Sequence, residues 1–136
     1  MEDKYKGLDR RQSVRLSREL PSKFMLIDED KSAEITGVCS GSVRNISAGG
    51  ALMECYDLSD AWIEGLVSGM IKVAVEIEVP ESEAPVRALA RAAWFSKIEK
   101  DEEKDKEKYI LGLQFVDITT ASQDIIRNYI IKSYLG

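Results

Sequence analysis

Between Ile71 and Val79 the chain alternates residue by residue. Ile71, Val73, Val75, Ile77 and Val79 fall on one face, and Lys72, Glu76 and Glu78 on the other. A period of two excludes a helix and demands a strand with one buried and one wet face. Such a strand needs antiparallel neighbours and a second layer, or a closed sheet, over its apolar side. This stretch therefore sets the terms for the rest of the chain.

Other segments supply the neighbours. A first strand is expected within Leu16–Ile27, where Phe24, Leu26 and Ile27 are apolar and Pro21 marks an edge or a bend. Asp28–Ser32 reads as a polar turn. Residues 34–45 are short and β-branched (Ile35, Thr36, Val38, Val43), interrupted by Ser-Gly-Ser at 40–42. Asn45–Gly50 is a turn cluster, with Ala51–Tyr56 as the returning strand. Residues 57–69 fit a short helix through Trp62, Ile63, Leu66 and Val67, weakened by Gly65 and Gly69.

After a turn at Pro80–Pro85, residues 86–95 read as a strand with Val86, Ala88, Ala90 and Ala92 on one face. The alternating-sign run Glu99–Lys108 reads as a hairpin tip between that strand and a last one at Tyr109–Val116. The end is helical: Thr120-x-x-Gln123 forms a capping box, and Ile126, Tyr129, Ile130 and Tyr134 share a face. About six short strands with regular turn signals and one C-terminal helix favour a closed antiparallel barrel or a small sandwich. The helix face is expected to pack on the barrel. If it stays partly exposed, it is a seam for a homodimer.

Composition removes whole classes of function. The 136 residues contain no histidine, which excludes the serine and cysteine triads and most zinc sites. Cys39 and Cys55 lack a Cys-x-x-Cys spacing and read as small buried apolar residues rather than a redox pair. Carboxylates such as Glu76, Glu78, Glu81 and Glu83 are accounted for by strand alternation and a turn, so no enzyme is expected, and no metal or cofactor. No apolar run is long enough to insert in a membrane. The start, MEDKYKGLDRRQSVR, lacks the apolar core of an export signal, so a cytoplasmic location is expected.

The net charge of −5 conceals a polarity. Residues 4–23 carry seven basic and two acidic side chains, whereas residues 24–136 carry 12 basic and 20 acidic. An acidic body argues against DNA or RNA, which require a broad positive surface. A basic arm on that body suits one compact anion. Residues 1–15 are read as this arm, irregular and flexible, and residues 16–136 as the barrel with its helix.

Two motifs carry the chemistry. Arg11-Gln12-Ser13-Val14-Arg15, preceded by Arg10, places two planar, permanently charged forks four residues apart. Each matches phosphate oxygens or the O6/N7 edge of guanine. Asn45-Ile46-Ser47-Ala48-Gly49-Gly50 follows about thirty residues later. Asn45 offers a donor and an acceptor to a base edge, Ser47 a hydroxyl to a phosphate, and Gly50 a positive φ or a close backbone approach. Either motif alone is weak, since the second is also what a plain hairpin turn contains.

Together, in this order, they resemble the PilZ domain, a bacterial receptor module for cyclic di-GMP. Its marks are Arg-x-x-x-Arg in an N-terminal arm and (Asp/Asn)-x-Ser-x-x-Gly after the second strand. The resemblance continues through Ala93-Trp94-Phe95, through Leu111-Gly112-Leu113-Gln114-Phe115 and into the last helix. It implies a mostly-β fold, a six-stranded antiparallel split barrel with a C-terminal α-helix.

The resemblance also implies that Arg11 and Arg15 grip guanine edges and phosphates. Asn45 then reads a guanine edge, Ser47 reaches a phosphate or the neighbouring base, and Gly50 lets the strand approach the ligand. Arg10 and Gly49 complete the expected contacts, an arginine at 10 going in this family with a stacked pair of ligand molecules. Asn in place of Asp at 45 is a neutral reader and implies slightly weaker binding. The function implied is a receptor whose arm moves on binding the second messenger and signals to a protein partner. The alternative is a PilZ-like adaptor for protein partners that binds no nucleotide. Trp62 and Trp94 are expected in the core or an interface rather than stacked on a ligand.

Overall fold

The structure is a computed structural model that describes residues 19–56, 58–101 and 106–135. Its strands run β1 (Leu20–Asp28), β2 (Ala33–Glu34), β3 (Cys39–Arg44), β4 (Gly50–Tyr56), β5 (Ile71–Ile77), β6 (Val86–Asp101) and β7 (Lys106–Ile118). A 3-10 turn (Asp60–Trp62) and a short helix α1 (Ile63–Ser68) lie between β4 and β5, and α2 (Thr120–Leu135) follows β7.

All pairings are antiparallel. The sheet runs β2-β1-β3-β4-β7-β6-β5 and closes on itself through β1–β5. Six strands make the ring, and the two-residue β2 extends the β3 side of β1 at Ile27 and Asp28. Closure rests on seven register pairs from Ser22↔Ile77 to Asp28↔Ile71. It leaves the ring without a free edge. The barrel expected from the sequence is the barrel observed.

Alternation decides what fills it. Ile71, Val73, Val75 and Ile77 of β5 all point inward, with Leu26, Val43, Met53, Val86 and Leu111 among the residues facing them. Pro21 has no N–H to give, and it lies just outside the β1–β5 ladder, where its carbonyl accepts from the Glu78 N–H at 3.0 Å.

Several sequence expectations are corrected. Ser-Gly-Ser at 40–42 does not interrupt β3, because Gly41 sits opposite Ser22 on one side and Cys55 on the other as an ordinary ladder residue. β6 and β7 are longer than the apolar patterns showed. Their ladder reaches Asp101↔Lys106, inside the charged run, and residues 102–105 of that run lie outside the described residues. The helix cap is one residue earlier than the capping box placed it. Thr119 Oγ1 accepts from the Ser122 N–H at 3.1 Å, and Ser122 Oγ accepts from the Arg87 N–H at 3.1 Å, which pins the start of α2 to the start of β6.

Ile126 and Tyr129 of α2 enter the core as expected, but Tyr134 is exposed, as are Ile131 and Leu135. α1 ends at Gly69, whose φ of 87° is the left-handed helix stop that glycine supplies without strain. Cys55 is buried and Cys39 half-buried. Among the described residues no helix is long and apolar enough to cross a membrane.

Candidate functional site

The second motif forms the β3–β4 connection, and its residue types follow from what each position must do. Asn45 closes β3 with a φ of 52°, a left-handed conformation that asparagine tolerates better than other side-chain-bearing residues. Ser47 is 1% exposed. Its N–H donates to the Gly50 carbonyl at 2.9 Å, and its hydroxyl donates to the same oxygen at 3.3 Å and accepts from the Gly49 N–H at 3.3 Å. The Gly49 carbonyl in turn accepts from the Phe115 N–H at 2.9 Å. The turn is thus closed on itself and latched to β7.

Of the two reasons the sequence offers for Gly50, a positive φ or a close backbone approach, the fold uses the second. A Cβ there would lie 2.2 Å from the Leu113 carbonyl oxygen. The close approach is therefore between β4 and β7 of the barrel itself. Gly49 has nothing within 4 Å of a would-be Cβ and is exposed. Ser47 is likewise occupied. A ligand bond donated by its hydroxyl requires giving up the bond to Gly50. Asn45 is half-buried at the rim of the turn. Arg10, Arg11 and Arg15 lie outside the described residues.

The sequence pattern missed what surrounds the turn. Arg44, next to Asn45, donates from Nη2 to Glu19 Oε2 at 2.9 Å and lies 3.3 Å through Nε from Glu54. Lys108 Nζ approaches the other Glu54 oxygen at 3.2 Å. The bond to Glu19, then the charge of Glu54, raises the Arg44 pKa above its ordinary value. Glu19 directly precedes β1.

On the other side, Gly50 pairs with Gln114 and Gln114 with Arg91. Arg91 donates from Nη1 to Gln114 Oε1 at 3.2 Å, so one outward row carries a cation beside the turn. One row further along, Trp94 lies across Gly112. A Cβ on Gly112 would meet the indole at 2.2 Å, so the missing side chain makes room for the ring on the outer surface. Trp94 is 48% exposed, which removes the core from its two expected places and leaves the interface, whereas Trp62 packs half-buried against the core. These partners are scattered over four strands, and only sheet register brings them together.

A second polar cluster lies away from the turn. Tyr109 is 1% exposed, and its hydroxyl donates to Asp60 Oδ1 at 2.8 Å. Lys97 Nζ reaches both Asp60 oxygens at 3.1–3.2 Å. Burial first, and then the bond to Asp60, push the Tyr109 phenol up to about 12. The Tyr109 bond, and then that of Lys97, hold the Asp60 carboxyl below its ordinary value. The cluster fastens the 3-10 turn to the β6–β7 hairpin.

Comparison with known proteins places this architecture. No curated protein matches the sequence. Among solved structures, Bacillus subtilis inhibitor of motility MotI/DgrA is similar, with a TM-score of 0.58 and 22% identity over 93% of this chain and 52% of that one. K. pneumonia MrkH in its apo state gives 0.62 and 15%, over 93% and 51%. The PilZ domain of Escherichia coli YcgR with c-di-GMP gives 0.55 and 14%, over 90% of both chains. The chain thus spans about half the length of MotI/DgrA and of MrkH. At these identities the likeness establishes the fold. The PilZ domain family itself matches residues 9–132, nearly the whole sequence, and the chain belongs to that family.

Proposed function

We propose that this PilZ domain is a receptor for cyclic di-GMP, in which the basic segment ahead of Glu19 closes over a nucleotide held against the Asn45–Gly50 turn. The observation that carries the reading is the Glu19–Arg44 bond of 2.9 Å. It fixes the root of the arginine segment beside Asn45. Arg15 lies four residues upstream, a span of at most about 14 Å when extended, and the reading takes that length as enough to bring its side chain to the turn. Arg10, Arg11 and Arg15 then supply forks to phosphates and guanine edges, and Asn45 reads a base edge at the rim. Arg91 and Trp94 stand on the same outer surface, one a further cation and the other a face for stacking. Ser47, Gly49 and Gly50 hold the turn in shape. Binding orders the segment against the barrel, and the new surface is read by a protein partner. The reaction is binding alone, in a cytoplasmic protein, and no cofactor takes part.

Calorimetric titration with cyclic di-GMP tests this. Saturable binding is expected. Arg15→Ala is expected to weaken it by about 2–5 kcal/mol, thirtyfold or more, because a desolvated ligand charge loses its partner. Equal affinity for both proteins overturns the arginine assignment, and no binding by the wild type overturns the ligand.

A second reading has its own support. Ser47 and Gly50 are fully accounted for by the turn and by the approach to Leu113, so the second motif also serves a PilZ-like adaptor that binds no nucleotide. The same titration separates the two. The homodimer reading rests on the exposed Ile131, Tyr134 and Leu135 of α2, and light scattering with and without nucleotide reads it.

A further inference from the structure

On the outer face of β1, β5 and β6 lies an open groove of about 550 Å³. Its floor is the cross-strand row Met25, Ala74 and Leu89, with register pairs Met25↔Ala74 and Ala74↔Leu89. Ala74 is the short side chain between two long ones, which makes the dent. Val38, 68% exposed, forms one wall, and Asp117, paired across from Leu89, stands on the opposite bank.

Charge defines the occupant. Lys23 faces Glu76 in the β1–β5 register, but the Glu76 carboxylate is committed to Arg87, 3.3 Å from its Nε. Among the described residues neither Lys23 nor Asp117 has an ion-pair partner. The groove therefore has an uncompensated cation on one bank, an apolar floor, and an uncompensated anion on the other bank. From β1 to β7 through β5 and β6 is three strand spacings, about 14 Å along the sheet. An α-helix with side chains is about 10–12 Å across. We infer that this groove docks an amphipathic helix of a partner protein, its apolar stripe on Met25, Ala74 and Leu89, an acidic flank toward Lys23 and a basic flank toward Asp117. The free charges fix the direction in which the helix lies, since reversing it puts like charges together on both banks.

The groove also adjoins the proposed nucleotide site. Leu89 and Arg91 flank Ala90 on β6, and the ladder to β7 shifts register between Leu89 and Ala90. A partner held here would sit within one strand step of the Arg91–Gln114 row, which deepens the receptor reading by naming the kind of partner. The docking itself needs no nucleotide.

The test is a titration of the isotopically labelled full chain, without nucleotide, followed by amide NMR shifts. The probe is a synthetic helical peptide with a leucine stripe, glutamates along one flank and lysines along the other. Its control has the same composition with the stripe scrambled. Saturable shifts centred on Met25, Ala74 and Leu89 are expected with the probe alone. Ala74→Arg is expected to weaken binding more than tenfold. Lys23→Glu changes only an exposed charge. It is expected to weaken binding about two- to fivefold, the size of an exposed ion pair, and a peptide with lysines on both flanks is expected to restore it. No saturable binding, equal binding of the scrambled peptide, shifts centred elsewhere, or no rescue of Lys23→Glu overturns the proposal. So does self-association through the groove in sedimentation of the peptide-free protein, which would make a second copy the occupant. Failure here leaves the receptor reading standing, because that rests on the separate nucleotide titration.

Discussion

Three glycines show how much a single position depends on its neighbours. Gly49 and Gly50 are identical letters in one motif, yet a methyl at 49 meets nothing and a methyl at 50 meets a backbone oxygen at 2.2 Å. Gly50→Ala is expected to destabilise by about 1–3 kcal/mol, as overpacking against an unyielding backbone does, while Gly49→Ala stays within about 0.5 kcal/mol. Thermal melts of the two variants measure the contrast, and equal melting temperatures count against the β4–β7 approach. Gly112 is a third case. There the obstacle is the Trp94 indole, the end of a movable side chain. Gly112→Ala is expected to displace the ring and shift its fluorescence at modest cost in stability. Asn45 was legible as a turn residue because its tolerance of positive φ is intrinsic. The inward commitment of the Ser47 hydroxyl was not, because it depends on where the Gly50 carbonyl points.

Among the elements, the β6–β7 hairpin and the 3-10 turn are joined by a titratable clamp. The Tyr109 phenol is raised in the folded protein, so the fold retains that proton more tightly than the unfolded chain does. Its stabilising contribution is present below the ordinary tyrosine value near 10 and is lost as pH rises toward about 12. Asp60 works in the opposite sense. Its pKa is lowered, so its contribution is present above the ordinary carboxylate value and fades as pH falls below it. Urea melts between pH 9 and 12 are expected to show wild type losing stability relative to Tyr109→Phe, which keeps the ring and removes the proton. Parallel curves would mean that the phenol does not couple to folding. The hairpin itself was legible from Glu99–Lys108, because charge of alternating sign has to be solvated. The true lengths of β6 and β7 were not, since a two-stranded ribbon extending into water needs no apolar pattern. The cap of α2 moved to Thr119 for a related reason. Ser122 satisfies β6 as well as its own helix, a tertiary demand that the Thr-x-x-Gln pattern does not contain.

For the whole molecule, stability rests on ring closure, and β1 is the strand that closes it. Leu26 is fully buried at the middle of β1, between the β5 ladder and the Thr36 hydroxyl that accepts its N–H at 3.0 Å. Leu26→Ala is expected to cost about 2–5 kcal/mol, a large share of the total for a domain of this size, with unfolding still cooperative in urea. Local pattern was enough to locate the strands, though not their full lengths, and to read their inward faces, the terminal helix and the family, because alternation, turn chemistry and two spaced motifs are properties of neighbours along the chain. It took the three-dimensional fold to bring β1 to β5, Arg44 to Glu19 beside the turn, Trp94 outside over Gly112, and Lys23 and Asp117 to the lining of one groove. Those relations join residues 18 to 94 positions apart, and they are set by sheet register and barrel closure, which no local pattern encodes.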